Sequence, residues 1–123
     1  MLKRILLFLL LASVFATSIY AQTARIAVNN TVRNKGTVIQ LCGSASLTFA
    51  DSTVGSTSRN WWFKNGTPTT STSLSQAVNF NTAGTDTVFL YTTGASPDTS
   101  YVLIQVNPKP TASFTFTNNV CAG

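Results

Sequence analysis

The chain contains no histidine and no glutamate, and its acidic residues are limited to Asp51, Asp86 and Asp98. Without histidine, the sequence excludes a histidine general base, a Ser-His-Asp triad and most zinc sites. Three aspartates in separate segments also argue against a catalytic carboxylate pair or a calcium cage. No glycine-rich phosphate-binding loop occurs either. The sequence therefore predicts a protein that is not an enzyme and that uses no metal or other cofactor.

Positive charge beyond residue 21 is modest and spread along the sequence. Six basic residues against three aspartates give residues 22–123 a net charge of +3. The basic residues are Arg25, Arg33, Lys35, Arg59, Lys64 and Lys109. They form no run that could follow a line of phosphates, so nucleic acid is not an expected partner.

The N-terminus has the pattern of a secretory signal peptide over residues 1–21. Lys3 and Arg4 give a positive start, residues 5–11 are apolar, and a small residue stands at the predicted cut after Ala21, with Ala16 as the second choice. An uncleaved membrane anchor is the alternative, because residues 5–21 are just long enough to span about 30 Å of hydrocarbon. No cysteine stands at the cut, which argues against a lipid-anchored lipoprotein. We expect a secreted or cell-surface protein that meets the membrane only through this export signal.

Short strands recur through the rest of the chain, separated by clusters of Gly, Ser, Thr and Asn. Alternation of apolar and polar residues predicts strands over residues 24–28, 37–41, 46–50, 58–63, 74–80, 85–92 and 100–106. No sustained helical period follows residue 21, and Thr and Val favour pleated surfaces. The pattern predicts an all-β domain over residues 22–107, an immunoglobulin-like sandwich of two sheets with about seven strands. A single closed barrel is the alternative.

Residues 108–123 are predicted to be a linker and the first strand of a second unit. Pro108 and Pro110 cannot continue a central strand and stiffen a joint between domains. Residues 111–117 alternate again, and Cys121 near Gly123 repeats the pattern of Cys42 and Gly43. We interpret this as the truncated start of a second repeat in a longer protein. Chance similarity with a frayed tail is the alternative.

Two runs about twenty residues apart resemble the signature of PKD (polycystic kidney disease) domains, the repeats of secreted and surface proteins. They are Trp61-Trp62-Phe63-Lys64-Asn65-Gly66 and Gly84-Thr85-Asp86-Thr87-Val88-Phe89-Leu90. The matching core positions are Trp61, Phe63, Gly66, Gly84, Val88 and Leu90. Trp62, Lys64, Asn65 and Asp86 depart from the family pattern. Residues 47–52 and 104–108 also fit, so the resemblance covers about residues 41–110.

The resemblance implies a non-catalytic module that acts in adhesion, spacing or protein and carbohydrate contact. It is similar to the N-terminal part of large repeat proteins that some bacteria export by a type IX route. The partners implied are neighbouring repeats of the same chain, and a polysaccharide or a surface protein. A carbohydrate-binding accessory module of a secreted hydrolase, whose catalytic domain lies beyond Gly123, is the alternative. An independent single-domain secreted protein is a third interpretation.

Strand alternation predicts an apolar outer face on one sheet. If Trp61 and Phe63 point inward, Trp62 points outward, and the same holds along the last two strands. The predicted face consists of Trp62, Phe89, Tyr91, Tyr101 and Leu103. Contiguous exposed apolar patches usually mark binding surfaces. The alternative is that a loop or the next repeat covers this face.

If the protein is secreted, its two cysteines, Cys42 and Cys121, lie in an oxidising compartment, where disulfides form and persist. Related repeats often carry a second cysteine where Ala95 stands here, so Cys42 has no obvious partner within its own unit. We expect Cys42 to be a buried free thiol and Cys121 to pair within the missing second repeat. A Cys42–Cys121 disulfide is the alternative.

Two short segments fit a bacterial O-glycosylation pattern of Asp, then Ser or Thr, then a third residue that is apolar or Thr. One is Asp51-Ser52-Thr53 and the other is Asp86-Thr87-Val88. The pattern predicts Ser52 and Thr87 as candidate acceptors.

Overall fold

The computed structural model describes residues 22–94 and 96–115, and all regular secondary structure of these residues is β. The predicted signal peptide, Ala95, and residues 116–123 with Cys121 lie outside the described residues. The described part holds no helix long and apolar enough to cross a membrane.

Ten strands follow one another along the described residues, and seven of them lie within two residues of the predicted strands. They are β1 (Ile26–Val28), β2 (Thr31–Arg33), β3 (Val38–Cys42), β4 (Ala45–Asp51), β5 (Ser58–Phe63), β6 (Gly66–Thr67), β7 (Thr70–Ser71), β8 (Ser75–Phe80), β9 (Gly84–Thr93) and β10 (Asp98–Asn107). Strands β2, β6 and β7 were not predicted. Each has only two or three residues, too few for alternation to become visible in the sequence.

The strands form two five-stranded sheets. Sheet 1 has the order β2-β1-β4-β8-β6, and sheet 2 has the order β3-β10-β9-β5-β7. Neighbouring strands are antiparallel except for β3 and β10, which run parallel. The predicted immunoglobulin-like two-sheet sandwich is therefore confirmed, and the single closed barrel is wrong.

The core lies between the two inner faces and is built around four aromatic rings. Trp61 and Phe63 of sheet 2 stack at 5.6 Å between ring centroids, with their planes 11° apart. Phe49 of sheet 1 packs 5.4 Å from Phe63, and Phe80 lies 6.1 Å from Phe49. All four rings are buried. Val88 and Leu90 of β9 are buried in the same cluster, so these two residues, Trp61 and Phe63 all lie in the core.

The Asn65-Gly66 turn joins the two sheets. Strand β6, which follows the turn, pairs with β8 in sheet 1, while β5, which precedes it, pairs with β7 and β9 in sheet 2. Asn65 takes the left-handed conformation, with φ of 54°. Gly66 is required for space: a Cβ there would lie 2.6 Å from Val78 Cγ1 and 2.9 Å from Phe63 Cβ. Although Asn-Gly is also the commonest composition of a hairpin turn, the chain here crosses from one sheet to the other.

Replacing Gly66 by alanine is expected to lower the free energy of unfolding by about 1–3 kcal/mol, the usual cost of overpacking a filled core. The added methyl group would press on the buried Val78 and Phe63. Urea denaturation measures the change. Asn79→Ala, at an exposed position on β8, is the matched control and should stay within about 0.5 kcal/mol of the parent. An unchanged midpoint for Gly66→Ala would show that the corner has room to relax.

Beyond β10 the described chain forms no further strand. Residues 111–115 are exposed, and Phe114 leaves 89% of its surface accessible. The strand predicted over residues 111–117 is thus not present in its described part, while residues 116 and 117 lie outside the described residues. The domain boundary at Asn107 and the second repeat stay predictions.

Candidate binding surfaces

Three aromatic side chains form a row across the outer face of sheet 2. Trp62 on β5 lies opposite Phe89 on β9, which lies opposite Tyr101 on β10. The Trp62 and Phe89 rings are 5.5 Å apart between centroids and 16° from parallel, and Phe89 and Tyr101 are 5.8 Å apart at 41°. We call these three residues the aromatic row. They meet because the register of three neighbouring strands puts them side by side.

The other two predicted surface residues flank this row. Tyr91 lies between Asn60 and Thr99, one outward position further along β9, and Leu103 lies beside Thr87. Trp62 leaves 52% and Tyr91 45% of their surfaces accessible, while Phe89, Tyr101 and Leu103 are half-buried. The structure brings all five residues together on one face.

The surroundings of the aromatic row are mostly uncharged and polar. Ser58 and Thr93 share a hydrogen bond of 2.6 Å at one end of the face. Thr85 donates a hydrogen bond of 2.6 Å to Gln105 at the other end. Hydroxyl and amide groups therefore border the rings on both sides along the strands.

Lys35 extends the aromatic row past the edge of β10. Its Nζ lies 5.9 Å from the centroid of the Tyr101 ring, within the range of a cation–π contact. The same Nζ donates a hydrogen bond of 2.8 Å to the Thr99 carbonyl. The Gly36 amide also donates to the Tyr101 carbonyl at 2.8 Å, which fixes this loop against β10. Sequence reasoning missed Lys35 because a loop residue carries no alternation signal.

A cavity of about 320 Å³ opens beside Lys35, between the start of the domain, the β1–β2 hairpin and the start of β10. Arg25, Arg33, Lys35 and Asp98 line it, and we call it the basic cavity. The Nε atom of Arg33 is buried and has no hydrogen-bond partner among the described residues. A buried charged donor without a partner is costly, at roughly 1–3 kcal/mol or more. Three of the six basic residues in the range 22–123, which are scattered along the sequence, thus lie close together at one end of the sandwich.

Two backbone amides donate hydrogen bonds to the Asp98 carboxylate in this cavity. Ala24 N donates to it at 2.8 Å and Thr99 N at 2.7 Å. These two hydrogen bonds, and then the nearby Lys35 charge, hold the pKa of Asp98 below its ordinary value against a small opposing effect of burial. Asp98 is therefore ionised at neutral pH, but no ion pair joins it to Arg33. The cavity keeps an excess of positive charge.

The predicted glycosylation acceptors lie in two different settings. Ser52 is half-buried in the loop after β4, and its amide donates to the Arg25 carbonyl at 2.9 Å. Thr87 is half-buried on the outer face of sheet 2, opposite Leu103. Asp86 before it is buried and accepts a hydrogen bond of 2.6 Å from Asn65. Modification of Ser52 and Thr87 stays a prediction.

Cys42 is exposed and has no disulfide partner among the described residues. The prediction of a buried thiol is wrong, because Cys42 occupies an outward position on β3, the edge strand of sheet 2. Asn107 lies opposite it on β10. Cys121 and Ala95 lie outside the described residues.

No metal centre is formed by the described residues. Nowhere in residues 22–94 and 96–115 do three or more His, Cys, Asp or Glu side chains lie close enough together to hold an ion.

Comparison with protein-family models gives no match, and comparison with curated proteins gives none either. The resemblance to PKD domains stays a prediction carried by residues 41–110. Assignment of a function depends on the geometry of the two candidate surfaces.

Proposed function

We propose that this chain is a non-catalytic, PKD-like module of a secreted or cell-surface protein. It acts as a spacer between neighbouring repeats and as a contact surface for carbohydrate or protein. The observation that supports this role is the aromatic row, in which three rings from three neighbouring strands lie in register on an outer face.

The aromatic row has the properties of a contact surface. Trp and Tyr are enriched in interfaces, where they supply large contact area at a low cost in conformational entropy. Strands in the middle of a sheet hold their side chains more rigidly than loops do. Phe89 and Tyr101 lie on the two long central strands of sheet 2, and Trp62 lies beside them on β5. The row is therefore pre-organised before a partner arrives.

Carbohydrate is the partner that the surroundings of the row favour. A sugar ring presents apolar C–H groups on its face and hydroxyl groups around its edge. The aromatic row offers ring surface for the first, and side chains such as Thr85 and Gln105 offer hydrogen bonds to the second. The same arrangement would serve a carbohydrate-binding accessory module of a secreted hydrolase.

Replacing Trp62 by alanine is expected to weaken polysaccharide binding about tenfold or more, which corresponds to about 1.4 kcal/mol. The exposed ring would be the largest single contact with a sugar. Titration calorimetry against a panel of neutral and acidic polysaccharides measures the loss. In a Trp61→Phe variant, Trp62 is the one remaining tryptophan, and its fluorescence should change as the sugar binds.

Leu74→Ala is the control for this experiment. Leu74 leaves 59% of its surface accessible and lies just before β8, which belongs to sheet 1. Its loss should leave affinity unchanged. Two results would contradict the proposal that the aromatic row binds carbohydrate. One is that no member of the panel binds, and the other is that Leu74→Ala weakens binding as much as Trp62→Ala does.

A further inference from the structure

The aromatic row and the basic cavity are continuous through one residue. Lys35 places its Nζ 5.9 Å from the centroid of the Tyr101 ring at the end of the row. Lys35 also lines the cavity together with Arg33 and Arg25. A ligand that lies on the rings and extends past Tyr101 therefore reaches positive charge next.

We infer that the two surfaces form a single site for an acidic polysaccharide. Sugar rings stack on the aromatic row, and the carboxylate of a uronic acid enters the basic cavity and accepts hydrogen bonds from Arg33. This inference rests on the proposed function, in which the outer face of sheet 2 contacts carbohydrate, and it adds the chemical class of the ligand.

The basic cavity is suited to a carboxylate. Arg33 is only half-buried and lines the cavity, and a guanidinium binds a carboxylate with two parallel hydrogen bonds. Its Nε atom is buried and has no hydrogen-bond partner among the described residues, so the terminal nitrogens are the donors that a carboxylate would reach. Lys35 has further donors beyond the one that it gives to Thr99. Asp98 does not compete strongly, because backbone amides of Ala24 and Thr99 occupy its two oxygens.

The distribution of charge favours a uronate-bearing polymer over other anions. A single-stranded nucleic acid needs cations alongside its stacked bases to follow the phosphates. Here the cations gather at the Tyr101 end of the row, while hydroxyl and amide side chains border its length. A peptide made of acidic residues alone, such as an oligoaspartate, would use the cavity but has no ring to lay on Trp62 and Phe89. A uronic acid carries a ring face and a carboxylate in the same residue.

Calorimetric titration of the purified protein with an oligogalacturonate tests the inference, and the same oligomer with its carboxyl groups reduced is the neutral comparison. We expect the acidic oligomer to bind at least tenfold more tightly, with an advantage that shrinks as salt is added. Arg33→Met should remove this difference and leave binding of the neutral oligomer unchanged. Lys35→Met should also lower the affinity for the acidic oligomer more than that for the neutral one, and it serves as the second variant if Arg33→Met folds poorly.

Lys109→Met is the matched control, since it removes the same charge. Lys109 follows the far end of β10, about 30 Å from the cavity at 3.3 Å per residue, so affinity for both oligomers should stay as in the parent protein. Equal binding of the two oligomers, or an equal loss in Lys109→Met, would overturn the inference. So would an oligoaspartate that binds as tightly as the oligogalacturonate. If neutral oligomers still bind through Trp62, the proposed function stands although the inference fails; if no saccharide binds, carbohydrate contact fails as well.

Discussion

Replacing Trp61 by alanine is expected to lower the free energy of unfolding by about 3–5 kcal/mol, the usual loss for a large buried aromatic side chain. Trp61 is only 2% accessible. Its ring stacks on Phe63, and its ring centroid lies 6.3 Å from that of Phe49 in the opposite sheet. Its Nε1 donates a hydrogen bond of 2.9 Å to the Ser73 carbonyl. Alanine would leave a cavity between the sheets, and urea denaturation followed by circular dichroism measures the loss.

The adjacent tryptophan provides the control. Trp62→Ala removes a side chain of the same size from the outer face of the same strand. Trp62 is 52% accessible and stacks on Phe89, so its loss should cost about 0.5–1.5 kcal/mol, less than the loss of Trp61. Domains of this size are stable by only about 5–15 kcal/mol, so the loss at Trp61 should also appear as a much lower melting temperature. Equal melting temperatures for the two variants would show that Trp61 does not hold the sheets together.

Local sequence pattern was sufficient to predict seven of the ten strands and the faces of the longer ones. Trp61 and Phe63 alternate with Trp62, and Val88 and Leu90 alternate with Phe89, so the inward and outward sets follow from a period of two. The row of Trp62, Phe89 and Tyr101 also needed the assumption that β5, β9 and β10 are neighbours. An immunoglobulin-like sandwich supplies that neighbourhood, and the observed order of sheet 2 agrees with it.

Features set by pairing between distant segments could not be predicted from the sequence. The Asn65-Gly66 turn has the composition of a hairpin, but the contacts of Gly66 with Val78 and Phe63 belong to a corner between the sheets. Cys42 is exposed because β3 is an edge strand that runs parallel to β10.

The basic cavity also depends on pairing between segments that are distant in the sequence. Arg33 and Lys35 lie close together in sequence, but the neighbourhood of Arg25 depends on the pairing of β1 with β2. Lys35 reaches Tyr101 because the Gly36 amide bonds to β10. The composition records the number of basic residues, whereas only the three-dimensional arrangement shows that three of them lie together.

Asp51 is a buried carboxylate that ties the two sheets together at one end. It is the last residue of β4 in sheet 1, and it accepts a hydrogen bond of 2.8 Å from Arg59 Nε of β5 in sheet 2. The amide of Thr53 and the hydroxyl of Ser56 also donate to it, each at 2.9 Å. Burial by itself would raise the pKa of Asp51, but these hydrogen bonds outweigh it and hold the pKa below the ordinary value of 3.8.

Replacing Asp51 by alanine is expected to lower the free energy of unfolding by about 3–5 kcal/mol, because removal of one partner leaves Arg59 without its counter-charge. The parent protein should lose part of this contribution in acid, namely the part that depends on the charge of Asp51. Since the folded-state pKa lies below the unfolded one, the stabilisation is complete well above pH 4 and disappears as the pH falls through the folded-state pKa. The difference between the denaturation midpoints of the two proteins should therefore narrow as the pH falls from 7 to 2.

Asp51→Ala combined with Arg59→Ala separates the ion pair from the other hydrogen bonds. If the pair is the main contribution, the double variant should be clearly more stable than the sum of the two single losses predicts. Additive losses would mean instead that Asp51 acts through Thr53 and Ser56, by ordering the loop between β4 and β5. In that case the Asp51 carboxylate would hold the loop, and the aromatic core alone would join the two sheets at this end.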